Sequence, residues 1–459
     1  MIACAFHRVP PDPQVMAQLH AEYLRCRGKR KLSFAKYLRK IGFTDPAAGL
    51  KGADRGSRPP PRPGMERVLV PARAVTGTLR LLVLLADFPD NKGLRAAREF
   101  EDMLFSNGTF QTGSMRDFYA EVSCGKVEVV GSVHGWLRMP HKYSYYVGTN
   151  SGMGAFPHNA QKLAADALAA AIKKKVPFGA DLDKFGDGSV TALFVVHAGR
   201  GAEALSTVAA QKKAIWSHKA DLNTPYRITG TLSANNYLTV PEDCRMGVCA
   251  HELGHLAFGW DDFYDPNYAE DGSQWDGSGV WDLMAGGSWN NGGLTPAHPA
   301  GLHKSQHPWL TLQDLSASRS GVVIPPYSKT SGTAVRVKGK DFSNTQWLII
   351  ENRRRTGFDR ALPGEGLLVW RVDTKAEQVN ATEPAMLLVQ ADGRHDLENP
   401  NDSDAGDPGD PFPGSSMRHE LGDTGPVSTS FPGQQRSGVS LRNITLDTRG
   451  NARFDVIFA

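Results

Sequence analysis

Apolar side chains recur every four residues near the start of the chain, at Val15, Leu19 and Tyr23, and at i, i+3, i+4, i+7 spacing in Phe34, Tyr37, Leu38 and Ile41. Both patterns place their residues on one helix face, and Ser33 stands where it can cap the second. Two short amphipathic helices are predicted, over residues 13–26 and from 34 onward. The stretch that follows, Asp45 to Gly64, ends in Arg58-Pro59-Pro60-Pro61-Arg62-Pro63-Gly64. Prolines at that density remove backbone donors and fix φ, so neither helix nor sheet persists. It reads as a linker that closes a separable helical N-terminal segment, residues 1–64.

Beyond the linker the pattern changes. Leu81 to Ala86 is an unbroken apolar run of strand length ending at Asp87-Phe88-Pro89-Asp90, and Lys126 to Val133 alternates as a second strand does. Ala160 to Lys175 is alanine-rich and helical, and the β-branched run Val190 to Val196 follows it. Strands alternating with helices predict a layered α/β body over residues 65–315. From Gly321 the chain becomes short strands between turns: Thr333 to Val337, Trp347 to Ile350, Leu367 to Val372, Met386 to Gln390 and Arg453 to Phe458. A β-rich C-terminal domain, residues 316–459, is the expectation.

Composition narrows the class without naming it. With 459 residues, 40% hydrophobic and 22% charged, the chain suits two or three globular domains and excludes wholesale disorder. Its longest apolar stretch is far short of the roughly 20 residues that span a bilayer, so no membrane span is expected. Met1 to Pro10 lacks a charged-then-apolar signal pattern, so the residues themselves give no support for secretion. The net charge of +4 is local: eight lysines and arginines fall between Arg25 and Lys40 with no acid among them, and without these eight the rest carries −4. Nucleic acid is therefore not an expected partner. Five cysteines, Cys4, Cys26, Cys124, Cys244 and Cys249, form no CxxC pair and no disulfide framework. Cys244 and Cys249, five apart in one predicted helix, are expected on different faces.

The chemistry concentrates at His251-Glu252-Leu253-Gly254-His255. Histidines four apart share a helix face and can meet one zinc ion, while Glu252, one residue round, reaches a zinc-bound water as general base without competing as a ligand. Asp243 is placed to cap that helix, Val248, Leu253 and Leu256 supply a buried side, and Gly259 supplies a stop. A catalytic zinc needs a third protein ligand after the turn, and both Asp261 and Asp262 are there. A second pair, His303 and His307, has the same spacing but no glutamate beside it and reads as packing or surface histidines. Downstream, Trp281-Asp282-Leu283-Met284-Ala285-Gly286-Gly287-Ser288-Trp289 sets a methionine in a glycine-rich turn, similar to the turn that forms an apolar floor under the metal in metzincins.

From about residue 80 onward the chain resembles the immune inhibitor A-type, or thuringilysin-like, metalloproteases of bacteria. The resemblance is carried by Leu84-Leu85-Ala86-Asp87-Phe88-Pro89-Asp90, Ser114-Met115-Arg116-Asp117-Phe118-Tyr119, Glu121-Val122-Ser123-Cys124-Gly125-Lys126, Phe194-Val195-Val196-His197-Ala198-Gly199, Ile215-Trp216-Ser217-His218 and Gly364-Glu365-Gly366-Leu367-Leu368-Val369-Trp370, together with the histidine helix. It implies a zincin-like, metzincin-like catalytic domain of α/β (α+β) class, a zinc cofactor and a polypeptide substrate. Secretion is expected by this resemblance alone. Aligned on Gly259-Trp260-Asp261-Asp262-Phe263-Tyr264-Asp265, it makes Asp262 the third ligand, with Asp261 the alternative because the spacing is one residue longer than the tightest version of the motif. His251, His255 and Asp262 are thus the expected metal ligands and Glu252 the catalytic residue.

The same resemblance implies structural Ca2+. Asp181, Asp183 and Asp187-Gly188 form a meagre acidic loop, with Thr191 where an acid would be expected, and the cluster Asp392, Asp396, Asp402, Asp404, Asp407 and Asp410 suits either calcium or a solvated loop. It also implies zymogens, which would make residues 1–64 a propeptide and Cys4 a thiolate able to block the zinc. A zinc endopeptidase is the reading these features support. The alternatives are a catalytically silent zinc-containing binding or adhesion protein and a metallohydrolase acting on small peptides.

Overall fold

A computed structural model describes residues 7–27, 32–43, 73–264, 275–376, 385–399 and 404–459. Cys4 and the Asp45–Gly64 linker lie outside the described residues, as does Asp402 of the acidic cluster. Strand β2 (Gly77–Asp87) is an interior strand of a six-stranded sheet, with β3 (Val127–Arg138) parallel on one side, at the edge, and β4 (Leu193–His197) parallel on the other. Its apolar run is buried on both faces, as a central parallel strand requires. Beyond β4 lie β6 (Ser233–Pro241), still parallel, and β5 (His218–Arg227), which is antiparallel. The order ends on a two-residue strand from the N-terminus, β1 (His7–Arg8), paired antiparallel to β5.

The predicted elements appear with small shifts. The N-terminal helices are Pro13–Arg27 and Phe34–Ile41, and Ser33 Oγ accepts the Lys36 N–H at 3.3 Å. Helix Ala160–Lys173 is capped by Asn159, whose side chain accepts the Lys162 N–H. Strand β4 begins three residues later than the β-branched run, because Val190 first bonds back to Ser233. Val9, Val15, Leu19, Tyr23, Phe34 and Leu38 share one continuous hydrophobic cluster with Leu81–Ala86 and the histidine helix. The N-terminal helices therefore rest on the same core as the sheet.

The histidine helix spans Met246–Phe258, and all thirteen of its residues are buried. Gly259 terminates it with φ 69°, a left-handed conformation that suits glycine, and its N–H bonds to Gly254 O. Asp243 does not cap it: the helix starts two residues later than expected, and the Asp243 carboxylate takes the Gly201 N–H at 3.2 Å instead. That late start also corrects the cysteine geometry. Cys244 precedes the helix, so its sulfur approaches that of Cys249 to 3.6 Å, and both thiols are free.

After the helix, β7 (Thr311–Leu315), β9 (Thr333–Val337), β10 (Gln346–Arg353), β11 (Gly366–Asp373) and β12 (Met386–Leu388) form a five-stranded sheet. Strands β8 (Arg319–Ile324), β13 (Val439–Leu446) and β14 (Ala452–Phe458) form a three-stranded one. Val335, Ile350, Val369, Val439, Phe454 and Val456 pack between them. Among the described residues no helix is long and apolar enough to cross a membrane.

Candidate metal centre

Two helical turns of a fully buried helix hold His251 and His255, and the chain reverses at Gly259 to return Asp262 to them. The Nε2 atoms of the two histidines are 3.1 Å apart, and Asp262 Oδ1 lies 3.2 Å from His251 Nε2 and 3.1 Å from His255 Nε2. The three atoms make a nearly equilateral triangle. Ligands about 2.0–2.1 Å from a tetrahedral ion stand roughly 3.3 Å from one another, so the set fits zinc.

The protonation pattern fits as well. His251 Nδ1 faces Leu283 O at 2.9 Å and His255 Nδ1 faces Trp260 O at 2.6 Å. A carbonyl can only accept, so the closer carbonyl of each ring places a proton on Nδ1, and in the neutral imidazole this leaves Nε2 with a lone pair. Lone pairs and a carboxylate oxygen converging at 3.1–3.2 Å repel one another unless a cation lies between them. Among the described residues Asp262, not Asp261, belongs to this cluster. Asp261 is partly exposed beside it.

Glu252 is fully buried next to the triangle, and neither carboxylate oxygen has a hydrogen-bond partner. Burial, then the Asp262 and Glu203 charges, push its pKa well above the ordinary carboxylate value.

Beneath the helix, Met284 is fully buried in the turn expected of it. Asp282 builds that turn by accepting the Met284 and Ala300 N–H groups and the Ser278 hydroxyl, with His303 3.4 Å away. His303 and His307 are thus packing histidines, wedged among Trp260, Phe263, Phe258 and Trp309. Burial pushes His307 down to about 4. A methyl on Gly254 would lie 2.8 Å from Met284 Sδ and 2.9 Å from Trp260 Cε3. Exchanging glycine for alanine inside a helix ordinarily gains up to about 1 kcal/mol, whereas overpacking costs about 1–3 kcal/mol. Gly254→Ala is expected to lower the urea midpoint, and a raised midpoint would mean that methionine and helix part freely.

The acidic loops offered for calcium are differently arranged. Asp183 accepts the Asp187 and Gly188 N–H groups, Arg80 pairs with Asp181 and Arg73 with Asp187, so these acids do not gather on a common point. Asp392, Asp407 and Asp410 do cluster, as do Asp396, Asp404 and Asp407, and Arg394 bridges Asp392 and Asp407.

One occupant of the site was not visible in the sequence pattern. Arg8 O lies 3.3 Å from His251 Nε2 and accepts the Tyr264 hydroxyl at 2.5 Å. Nothing in the composition of residues 7–12 marks them as a strand. Their place follows from the unpaired edge that β5 offers.

The sequence model described as immune inhibitor A peptidase M6, catalytic domain, matches residues 78–315, and the chain belongs to that family. It is 31% identical over 267 residues to the pre-pro-metalloprotease PrtV of Vibrio cholerae serotype O1, covering 48% of this chain and 28% of that one. It is also 31% identical over 278 residues to immune inhibitor A of Bacillus thuringiensis subsp. alesti, covering 49% and 39%. The chain thus spans less than two fifths of the length of either relative.

Proposed function

We propose that the chain is a zinc-dependent endopeptidase in which His251, His255 and Asp262 hold the metal and Glu252 is the general base. The observation that carries this is the triangle of two Nε2 atoms and one carboxylate oxygen, set beside buried Glu252 oxygens that lack hydrogen bonds. A zinc ion there supplies Lewis acidity that polarises a carbonyl and acidifies water. Glu252 takes a proton from water and returns it to the departing amine. The carbonyls of Leu283 and Trp260 orient the two imidazoles, and Met284 fills the apolar space beneath them. The side of antiparallel β5 that β1 occupies here is one on which an extended peptide can join the sheet.

In this reading residues 65–315 form the zincin-like catalytic domain, 316–459 a β-rich domain and 1–64 an N-terminal segment; export from the cell belongs to the same reading. Family membership supports it, as do the names of the two relatives. Purified protein is expected to cleave casein, to stop on chelation and to recover with added zinc. Glu252→Ala should lower cleavage by about 10²–10⁴-fold with zinc content unchanged. Full cleavage by that variant would end the proposal.

A further inference from the structure

The N-terminal strand lies on the metal triangle as a peptide substrate would, and its contacts show which bond is presented. Arg8 pairs with His218 across the β1–β5 ladder, and Val9 N–H continues it to Ser217 O at 3.3 Å. Past that point two indoles hold the backbone: Trp216 Nε1 donates to Val9 O at 2.9 Å and Trp289 Nε1 to Pro10 O at 2.8 Å. Asp12 N–H closes the run on Glu203 O at 3.0 Å. Between these anchors a single carbonyl, that of Arg8, faces the triangle, 3.3 Å from His251 Nε2 and bonded to the Tyr264 hydroxyl. A carbonyl oxygen turned to the triangle and held there by Tyr264 marks the Arg8–Val9 bond as the one presented for hydrolysis.

The Arg8 side chain is as informative as its backbone. It is only 2% exposed, and its guanidinium stands 5.4 Å from the centre of the Trp216 ring. Burying a guanidinium is costly unless its surroundings compensate, and an aromatic face is one compensating surface. The pocket on the amino side of the presented bond is therefore shaped for a long cation.

We propose that the site cleaves peptides with an arginine immediately before the broken bond, and that the chain's own Arg8–Val9 bond is its first such substrate. This rests on the zinc endopeptidase reading. In the step, water adds to the Arg8 carbonyl carbon, the C–N bond to Val9 breaks, residue 8 ends in a carboxylate, and Val9 gains the proton on a free amine. Tyr264 donates to the oxygen that becomes negative as the water adds, and Glu252 carries the proton across. Residues 9–12 stay under the two indoles after cleavage, so the new end remains beside the sheet until the N-terminal helices move.

Three measurements test this together. Full-length protein prepared without metal and then given zinc should lose residues 1–8 by intact mass, with Val9 as the new N-terminus, at a rate independent of protein concentration. Arg8→Lys should still be cut and Arg8→Glu should be cut at least ten-fold more slowly. On a peptide library, wild type should enrich arginine before the broken bond. A third readout needs no activity: in metal-free protein, Arg8→Glu should raise amide hydrogen exchange at residues 217–219 about ten-fold or more, while β4 residues 193–197 stay protected as proof of folding. Casein cleavage with an intact Arg8–Val9 bond, or a library profile without arginine, would overturn the proposal and leave the endopeptidase reading standing. Unchanged exchange at 217–219 in Arg8→Glu would also overturn it. Failure to cleave casein or any peptide would instead remove the reading on which it rests.

Discussion

Asp262→Ala is expected to lower zinc affinity by 100-fold or more, whereas Asp261→Ala should leave it within a few-fold of wild type. Loss of an outer partner of a metal site already costs about 10–100-fold, and Asp262 stands at direct contact range of both imidazoles, 3.2 and 3.1 Å from their Nε2 atoms. Removing it takes away the only negative charge in the triangle and leaves a two-histidine site, which is weak. Asp261, one residue earlier, is not part of the cluster among the described residues. Competition for zinc against a chromophoric chelator measures both variants. Equal losses from the two would mean that the turn after Gly259 rearranges when metal binds.

Arg353→Met is expected to cost about 3–5 kcal/mol of stability, the range for removing one partner of a buried ion pair. Arg353 is completely buried at the end of β10, and its guanidinium is 2.6 Å from Asp359 and 3.4 Å from Glu351. It also donates to Trp281 O and His298 O, at 2.9 and 3.3 Å, so it ties the five-stranded sheet to the residues that lead into the methionine turn. Methionine would leave two carboxylates without their cation in a dry interior. Urea unfolding of the two proteins gives the difference. Arg353→Lys should recover only part of it, because an ammonium cannot make the forked contact.

The same pair sets a pH dependence. Burial would raise the Asp359 carboxyl, but the Arg353 charge overrides it and holds the group at about 2, below its unfolded value. A depressed folded value contributes stability that is fully present above the unfolded pKa of about 3.9 and disappears as pH falls through the folded one. Wild type should therefore lose stability between about pH 4 and pH 2 more steeply than Arg353→Met. Parallel acid profiles would contradict this.

Much of the layout follows from local pattern. The apolar run Leu81–Ala86, the alanine-rich helix after Asn159 and the alternating strands near the C-terminus all formed within a few residues of where periodicity put them. These elements were legible because their burial is decided by side chains near in sequence. The histidine spacing was legible for the same reason, since i and i+4 share a helix face whatever packs against it.

Other features depended on residues far apart in the chain. Asp243 looked like a cap until Gly201 took its carboxylate, and Cys244 looked helical until the helix began at Met246. His303 and His307 have a metal-like spacing but meet Asp282, the Val75 N–H and a nest of aromatic rings. Spacing cannot tell such a pair from a ligand pair.

By itself, then, the sequence determined the strand and helix periods, the stop at Gly259 and the histidine pair with its glutamate, because each is a property of one short segment. Only the tertiary structure decided that Asp262 rather than Asp261 joins the pair, that Leu283 and Trp260 set the tautomers, and that Arg8 lies across the site. Each of those depends on where a chain reversal or a sheet edge brings a distant backbone. A contact between residues 8 and 251 leaves no trace in the spacing of either one's neighbours.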